Sequence, residues 1–283
     1  CTLLPAPVGR LVNKLALPSI VSMLITSIYS MADSYFVGKM GTAETAAVGV
    51  VFSLTTIIQA LGFFLGHGSG NYISRKLGSR ETDDAARMAS VGLFAGLIAG
   101  AVFMIAGLLF ASPIVTLLGA TDTIRPHAID YMRFLLPGTP FIMCSFILNN
   151  QLRFQGNPIF GMLGMAAGAV LNIALDPLFM FALGMGVAGA ALATAISQAV
   201  GFVILLIGIR VSGSMPIRFR DFKPSVSLYR EIVNGGLPSL CRQGLASVSM
   251  ICLNRAAGFY GDSVIAAFSL VNRVMHFAFS AVI

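Results

Sequence analysis

Long, charge-poor stretches recur along almost the whole sequence, and this feature limits the fold more than any other. A helix needs about 20 residues to cross a hydrocarbon core of about 30 Å, and each stretch is long enough to do so. Charged residues make up only 10% of the chain, against about 25% in soluble domains. The pattern predicts an all-α polytopic membrane protein. Its eight predicted spans lie at approximately residues 15–37, 45–70, 88–110, 131–152, 159–182, 187–209, 235–257 and 263–283.

The basic residues predict how such a protein is oriented. The net charge is +7, but most Lys and Arg lie in short loops between spans, so membrane orientation explains them and we expect no nucleic-acid partner. If the spans alternate in direction, most of these residues, including those in 71–87 and 210–234, fall on one side. The positive-inside rule therefore predicts a cytoplasmic N-terminus.

The start of the chain is repeated within it. A shift of 220 residues aligns Leu17–Ser19 with Leu237–Ser239, and Gly38 with Gly258. The further matches are Arg10 with Arg230, Gly41 with Gly261, and Ala46–Ala47 with Ala266–Ala267. Six spans separate the two copies, and an even number returns the chain to the same side of the membrane. The copies therefore run in parallel, about an axis normal to the membrane.

This repeat predicts the domain organisation. Residues 1–209 are expected to form a six-helix first lobe, 210–234 a cytoplasmic linker, and 235–283 the first two helices of a second lobe. We interpret the sequence as a fragment of a twelve-span protein. Paired lobes around a central cavity are typical of alternating-access transporters, although symmetric repeats also occur in channels.

Two carboxylates lie inside predicted spans, where an ionisable side chain costs roughly 2.5–3.5 kcal/mol near the helix centre. Asp33, Asp176 and Thr194 are predicted at one depth, roughly 6–10 Å inside the outer boundary, so they can share one site. Asn172 lies four residues before Asp176, and Tyr29 four before Asp33, so each pair projects from one helical face.

Pro177 adds a backbone oxygen to this set. It has no N–H, so the carbonyl of Ile173 loses its helical partner. Carboxylate, amide, hydroxyl and carbonyl oxygens together suit Na⁺ or proton storage. The alternative is that Asp33 is interfacial and that Asp176 is hydrogen-bonded to Asn172 or Tyr29 for packing.

The remaining polar residues give weaker signals. Arg273 lies deep in the last span, where it either pairs with a carboxylate or lines a substrate cavity. Arg242 lies near a span end, where its head group can reach the membrane surface. The cysteines show no CxxC or metal-ligand spacing, and no nucleophile and base share a motif, so we expect neither a cofactor nor an enzyme. Gly62, Gly66 and Gly70 form a stripe of small residues that predicts a helix contact.

Three stretches carry a family resemblance: MADSYFVGKMGTAETAAVG at 31–49, LNIALDPLFMFALGMGVAGAALATAISQ at 171–198, and GLPSLCRQGLAS at 236–247. With them, the whole chain resembles the multidrug and toxic compound extrusion (MATE) family of cation-coupled efflux transporters. The resemblance implies a MATE-like fold of two six-helix bundles arranged in a V. It also implies a monomeric cell-membrane protein that exports cationic or amphiphilic drug-like molecules in exchange for H⁺ or Na⁺.

The resemblance also assigns a coupling-ion site. The family's first-lobe site uses an acid on span one, Asn and Asp four apart on span five, and Thr on span six. These positions match Asp33, Asn172, Asp176 and Thr194, which are therefore the expected H⁺ or Na⁺ site, with Tyr29 a further member. Some members carry a carboxylate on span seven. The repeat partner of Asp33 is instead Leu253, followed by Asn254, so a cation site is not expected in this part of the second lobe.

Other functions remain open at this point. A lipid-linked oligosaccharide flippase of similar two-lobe build is the main alternative, and it would be expected to place more Arg and Lys in the cavity for phosphate. A channel would pass ions without coupling them to a substrate. An intramembrane enzyme is the weakest alternative.

Overall fold

The computed structural model describes residues 8–280, with side chains described at 16–218, 220–272, 274 and 275. Within this range the secondary structure is helical and no strand occurs. The α-helices are α1 (Val8–Gly38), α2 (Thr42–Gly78), α3 (Thr82–Leu109), α4 (Ala111–Leu117), α5 (Arg125–Leu135), α6 (Thr139–Phe154), α7 (Pro158–Pro177), α8 (Val187–Val211), α9 (Val226–Gly258) and α10 (Asp262–Ser280). A π-helical turn, Leu178–Ala182, follows α7, and 3₁₀ turns occur at Leu136–Gly138 and Phe219–Asp221.

The first six predicted spans are confirmed. In the described residues, six helical segments are long and apolar enough to cross a membrane. They are Ala16–Gly38, Thr42–Gly78, Thr82–Leu109, Arg125–Phe154, Pro158–Ala182 and Val187–Val211. The fourth differs from the prediction, because α5 and α6 form it together and it begins at Arg125. Pro137 and Pro140 lie at the junction, where each removes a backbone donor and favours the intervening 3₁₀ turn.

The seventh and eighth predicted spans are the helices α9 and α10. At 33 residues α9 is long enough to cross a bilayer, but Arg230, Glu231, Arg242 and Arg255 make it less apolar than the first six. In α10 the apolar part that the structure describes, Asp262–Asn272, is shorter. That these two helices cross the membrane stays a prediction.

Exposed apolar side chains form stripes along the outer helices. On α3, Ile98, Val102, Ile105 and Leu109 are each more than half exposed and recur at helical spacing. A second stripe follows α8, with Ile196, Val200, Val203, Ile207 and Val211. By contrast, most of the fourth span is buried. The exposed stripes match a surface that contacts lipid, with α2 and α6 inside the bundle.

Two faces of α2 are built for close contact. Gly62, Gly66 and Gly70 face α6, which confirms the helix contact predicted from this stripe. Gly68 faces α9, and a Cβ added there would lie only 2.2 Å from the backbone oxygen of Ile232. At Gly236 of α9, an added Cβ would likewise meet the Phe64 carbonyl. The two helices therefore cross with their backbones nearly touching.

The helix boundaries repeat at the shift that the sequence predicts. The helices α1 and α9 end at Gly38 and Gly258, 220 residues apart, and α2 and α10 begin at Thr42 and Asp262, at the same shift. The first helix of each repeat also contains a proline, Pro18 in α1 and Pro238 in α9. The parallel two-helix repeat is therefore present in the fold as well as in the sequence.

The second repeat is attached to the first six spans at both ends of the bundle. At the end of the bundle where residues 79–81 connect α2 and α3, Arg75 forms an ion pair with Glu231. At the opposite end, Thr121 donates to Asp262 Oδ1 at 2.7 Å and Arg255 Nε donates to the Leu117 carbonyl at 3.0 Å. These contacts fix α9 and α10 as one wall of the space beside α1, α2 and α6. The predicted domain boundaries remain predictions, and α9 begins at Val226, inside the segment interpreted as linker.

Candidate functional site

Asn172, Asp176 and Thr194 form a buried hydrogen-bonded cluster between α7 and α8. The amide nitrogen of Asn172 donates to Asp176 Oδ1 and to Thr194 Oγ1, both at 3.3 Å. Asp176 is fully buried and Asn172 is 2% exposed. Asp176 Oδ2 and Asn172 Oδ1 have no hydrogen-bond partner among the described residues. Two buried oxygens without donors are costly by themselves and suit a bound proton or a hard cation.

The backbone changes helical type directly after this cluster. The α-helical part of α7 ends at Pro177, and the chain continues directly as the π-helical turn Leu178–Ala182. The N–H of Leu178 donates to the Leu175 carbonyl, and the N–H of Leu183 to the Leu178 carbonyl at 3.0 Å. Proline cannot donate to Ile173, and the π turn accommodates the lost bond. The predicted interruption of the hydrogen-bond ladder therefore takes the form of a local π bulge.

Tyr29, Asp33 and Thr194 line a cavity of about 100 Å³, which we call the acidic chamber. Asp33 is 7% exposed, and no Lys, Arg or His is among the described residues that line this space. Asn172 and Asp176 lie behind the wall and reach it through Thr194. The aromatic contact between Phe36 and Phe181, with ring centroids 6.4 Å apart, packs α1 against the π turn. The structure thus brings α1, α7 and α8 together around the predicted cluster.

Further polar residues of the acidic chamber were missed from the sequence. Thr55 and Gln59 on α2 and Gln198 on α8 line it, as does Tyr131 on α5. A signal for them exists, because Thr55 and Gln59 lie four residues apart in an apolar span, as do Thr194 and Gln198. Neutral amides and hydroxyls in this arrangement can bind a cation or orient water.

A second cavity, of about 420 Å³, lies between α1, α2, α6, α7 and α9, and we call it the basic chamber. His67, Arg153 and Arg242 line it, and none of its described lining residues is acidic. Thr26, Gln59 and Phe146 line both chambers, so the two spaces are neighbours. Arg242 was expected near a helix end at the membrane surface, whereas the structure makes it part of this cavity wall.

The remaining residues that the sequence analysis singled out lie outside the two chambers or outside the described side chains. Arg273 lies on α10, but its side chain is outside the described part of the structure, so its role in a substrate cavity stays a prediction. Asn254, beside the repeat partner of Asp33, is 1% exposed and donates to Ser53 Oγ of α2 at 3.0 Å. It therefore joins the two repeats. Among the described residues, no three His, Cys, Asp or Glu side chains group as a metal site would require.

Comparison with known proteins gives consistent matches. The family model MatE matches residues 18–178, more than half of the chain. The multidrug export protein MepA of Staphylococcus haemolyticus is 29% identical over 264 residues, which cover 93% of this chain and 58% of that protein. MepA of Staphylococcus aureus strain MRSA252 is 28% identical over 274 residues, which cover 96% and 61%. The chain thus spans about three fifths of the length of these relatives.

Solved structures match over nearly the whole chain. A MOP superfamily transporter from Pyrococcus furiosus superposes with a TM-score of 0.88 at 32% identity, covering 99% of this chain and 63% of that one. The MATE multidrug transporter DinF-BH has a TM-score of 0.90 at 32% identity, covering 96% and 61%. At these identities the similarity extends beyond the general helical fold to the order and packing of the spans.

Proposed function

The chain belongs to the MatE family of multidrug efflux transporters, and from this membership we propose that it exports cationic or amphiphilic small molecules in exchange for H⁺ or Na⁺. The native protein then acts as a secondary active antiporter, monomeric in the cell membrane, with its N-terminus in the cytoplasm. In this orientation the acidic chamber lies in the outer half of the membrane and the basic chamber in the inner half.

The observation that carries the proposal is the Asn172–Asp176–Thr194 cluster. Asp176 Oδ2 and Asn172 Oδ1, which have no hydrogen-bond partner in the described part of the chain, belong to side chains that are fully or almost fully buried in a membrane-spanning bundle. A proton on Asp176 supplies the missing donor. A sodium ion supplies a positive charge to the same carboxylate, amide and hydroxyl oxygens. Either ion removes the penalty of a buried negative charge.

Exchange follows if the ion and the drug bind different arrangements of the helices. An ion that enters from outside neutralises the site, and a neutral site attracts a cationic drug less. The affected carboxylates lie on α1 and α7, which pack together through Phe36 and Phe181. Neutralisation therefore favours a rearranged α1, and the difference in ion affinity between the two arrangements drives the change. The drug then leaves outward.

The alternative of a lipid-linked oligosaccharide flippase is not favoured. The two relatives named above are multidrug export proteins, and the buried Asn172–Asp176–Thr194 cluster offers oxygen ligands that suit a coupling ion. A transport experiment distinguishes an antiporter from a channel, because only an antiporter moves drug in proportion to an imposed ion gradient.

The test is ethidium accumulation in everted membrane vesicles that contain the native protein. Vesicles are loaded with Na⁺ or acid, diluted into Na⁺-free or neutral buffer, and sampled by filtration. We expect one gradient to drive accumulation and Asp176→Asn to abolish it. Asp130→Asn removes an exposed carboxylate of α5 and is the matched control. Accumulation that ignores both gradients, or an Asp176→Asn variant with native rates, would contradict the proposal.

A further inference from the structure

The basic chamber has a charge that cation export does not require. Arg153 on α6 is half-buried, and Arg242 on α9, which is exposed, lines the same cavity. Among the described residues, the ion pairs involve Arg75, Lys76 and Arg125, and no carboxylate lies within ion-pair distance of Arg153 or Arg242. Two guanidinium groups therefore share one cavity without an internal counter-ion.

The positive charge of the two arginines in this cavity calls for a negatively charged partner. The half-buried Arg153 loses hydration, and in a membrane protein the usual remedy is an acidic partner. Asn149 and Gln243 are among the neutral polar residues in the wall, and a neutral side chain does not neutralise a positive charge. The guanidinium group offers two parallel N–H donors, a geometry that fits a carboxylate or a phosphate. A bound anion would supply the counter-charge that the described residues do not.

The rest of the wall favours an aromatic or apolar body on that anion. Phe63 stacks on the His67 ring with centroids 5.3 Å apart, and Phe146 packs against Phe63 at 5.3 Å. Ser239 Oγ lies 2.8 Å from His67 Nδ1, which fixes the imidazole between α2 and α9. Met23 contributes a flexible side chain that can adapt to different shapes. Aromatic faces beside a pair of guanidinium groups form an amphipathic site.

We propose that the basic chamber binds an anionic amphiphile, a molecule with one carboxylate or phosphate group on an aromatic or acyl body. The acidic group lies between Arg153 and Arg242, and the apolar body lies along Phe63 and Phe146 toward Gln59. This site goes beyond the proposed cation exchange, because the ion cluster at Asp176 takes no part in it. Two sources share this chemistry, a soluble aromatic acid and the headgroup of an anionic lipid.

The probe is 9-anthracenecarboxylate, and its matched neutral partner is 9-anthracenemethanol. Fluorescence anisotropy measures the Kd of each for the native protein in phosphatidylcholine nanodiscs. We expect the acid to bind more tightly than the alcohol. Arg153→Gln and Arg242→Gln should each weaken binding of the acid by about 10- to 100-fold, the range for loss of one charge-assisted hydrogen bond, and leave the alcohol unchanged.

Two controls separate a specific site from general effects. Arg210→Gln removes an exposed arginine near the end of α8 and should bind the acid like the native protein. Arg153→Lys keeps the charge and should recover part of the affinity, which separates lost charge from lost folding. Each variant is also checked by its thermal unfolding midpoint in the same nanodiscs.

The remaining measurements identify the source of the anion and separate this site from ion coupling. Displacement of the acid by phosphatidylglycerol in the nanodisc, with the same arginine dependence, assigns the site to a lipid headgroup. Lack of displacement assigns it to soluble acids. Binding of the acid is measured without an ion gradient, so a failure of ion coupling does not affect this result. Equal binding of acid and alcohol, or native affinity in both arginine variants, would overturn the proposal.

Discussion

The acidic and basic chambers are built from the same helices and carry opposite charge. Both use α1, α2 and α6, and they share Thr26, Gln59 and Phe146. On α1, Asp33 lines one chamber and Ser22 the other, which places them about 16 Å apart along the helix. The charge of each chamber is therefore set by a few side chains at different levels of one helix bundle. Each chamber can be disturbed separately, so their roles can be separated by experiment.

The largest effect is expected from neutralising the acidic chamber. Asp33→Asn should lower gradient-driven ethidium transport by a factor of about 5 to 150, the range for coupling free energies of 1–3 kcal/mol. The reason is that the neutral side chain no longer distinguishes the ion-loaded from the ion-free state. The vesicle assay measures the effect, with Asp130→Asn as control. Native transport by Asp33→Asn would remove the acidic chamber from the coupling mechanism.

A change at the α2–α9 crossing should disrupt the basic chamber. Gly68→Val places a side chain where a Cβ already meets the Ile232 carbonyl, so we expect a loss of about 1–3 kcal/mol in stability and displacement of α9. Thermal unfolding in detergent should show a midpoint several degrees lower, and binding of 9-anthracenecarboxylate should weaken. Gly244→Val on α9 has open space around the new side chain and is the control. An unchanged midpoint would show that the close crossing is not required.

Removing the amide of the ion cluster should have an intermediate effect. Asn172→Leu takes away the donor shared by Asp176 and Thr194. A net hydrogen-bond contribution of about 0.5–1.5 kcal/mol predicts that the ion concentration for half-maximal transport rises about 2- to 12-fold. Transport against Na⁺ or proton concentration measures it, beside Asn234→Leu at an exposed position of α9. An unchanged ion dependence would mean that Asn172 serves packing alone.

The smallest expected effect is an increase in the affinity for ethidium. Arg242→Gln removes a positive charge from the basic chamber, so the cation ethidium should be bound about twofold more tightly. This is the change expected for a unit charge about 10 Å away in a water-like dielectric. Half-maximal ethidium concentration in the vesicle assay measures the change, and Arg210→Gln should leave it as it is. Weaker ethidium binding in Arg242→Gln would show that this arginine does not repel the cation.

Much of the fold and part of the site could be predicted because the rules involved are local. The length of an apolar stretch determines whether a helix can cross a bilayer, and the first six spans follow from it. The helical period places Asn172 and Asp176 on one face, and the structure joins them directly. The repeat is also local information, because the matched residues recur at one fixed shift and so do the helix ends.

The tertiary structure decided what lies across from each helix. His67, Arg153 and Arg242 belong to α2, α6 and α9, and no spacing in the sequence predicts that they line one cavity. Their convergence depends on how closely the helices approach, which Gly66 sets between α2 and α6 and Gly68 between α2 and α9. Periodicity gives the face of a helix but not the partner of that face. The sequence by itself therefore determined the membrane helices, their repeat and the pairs within one helix, whereas packing between distant segments decided the two chambers and their opposite charge.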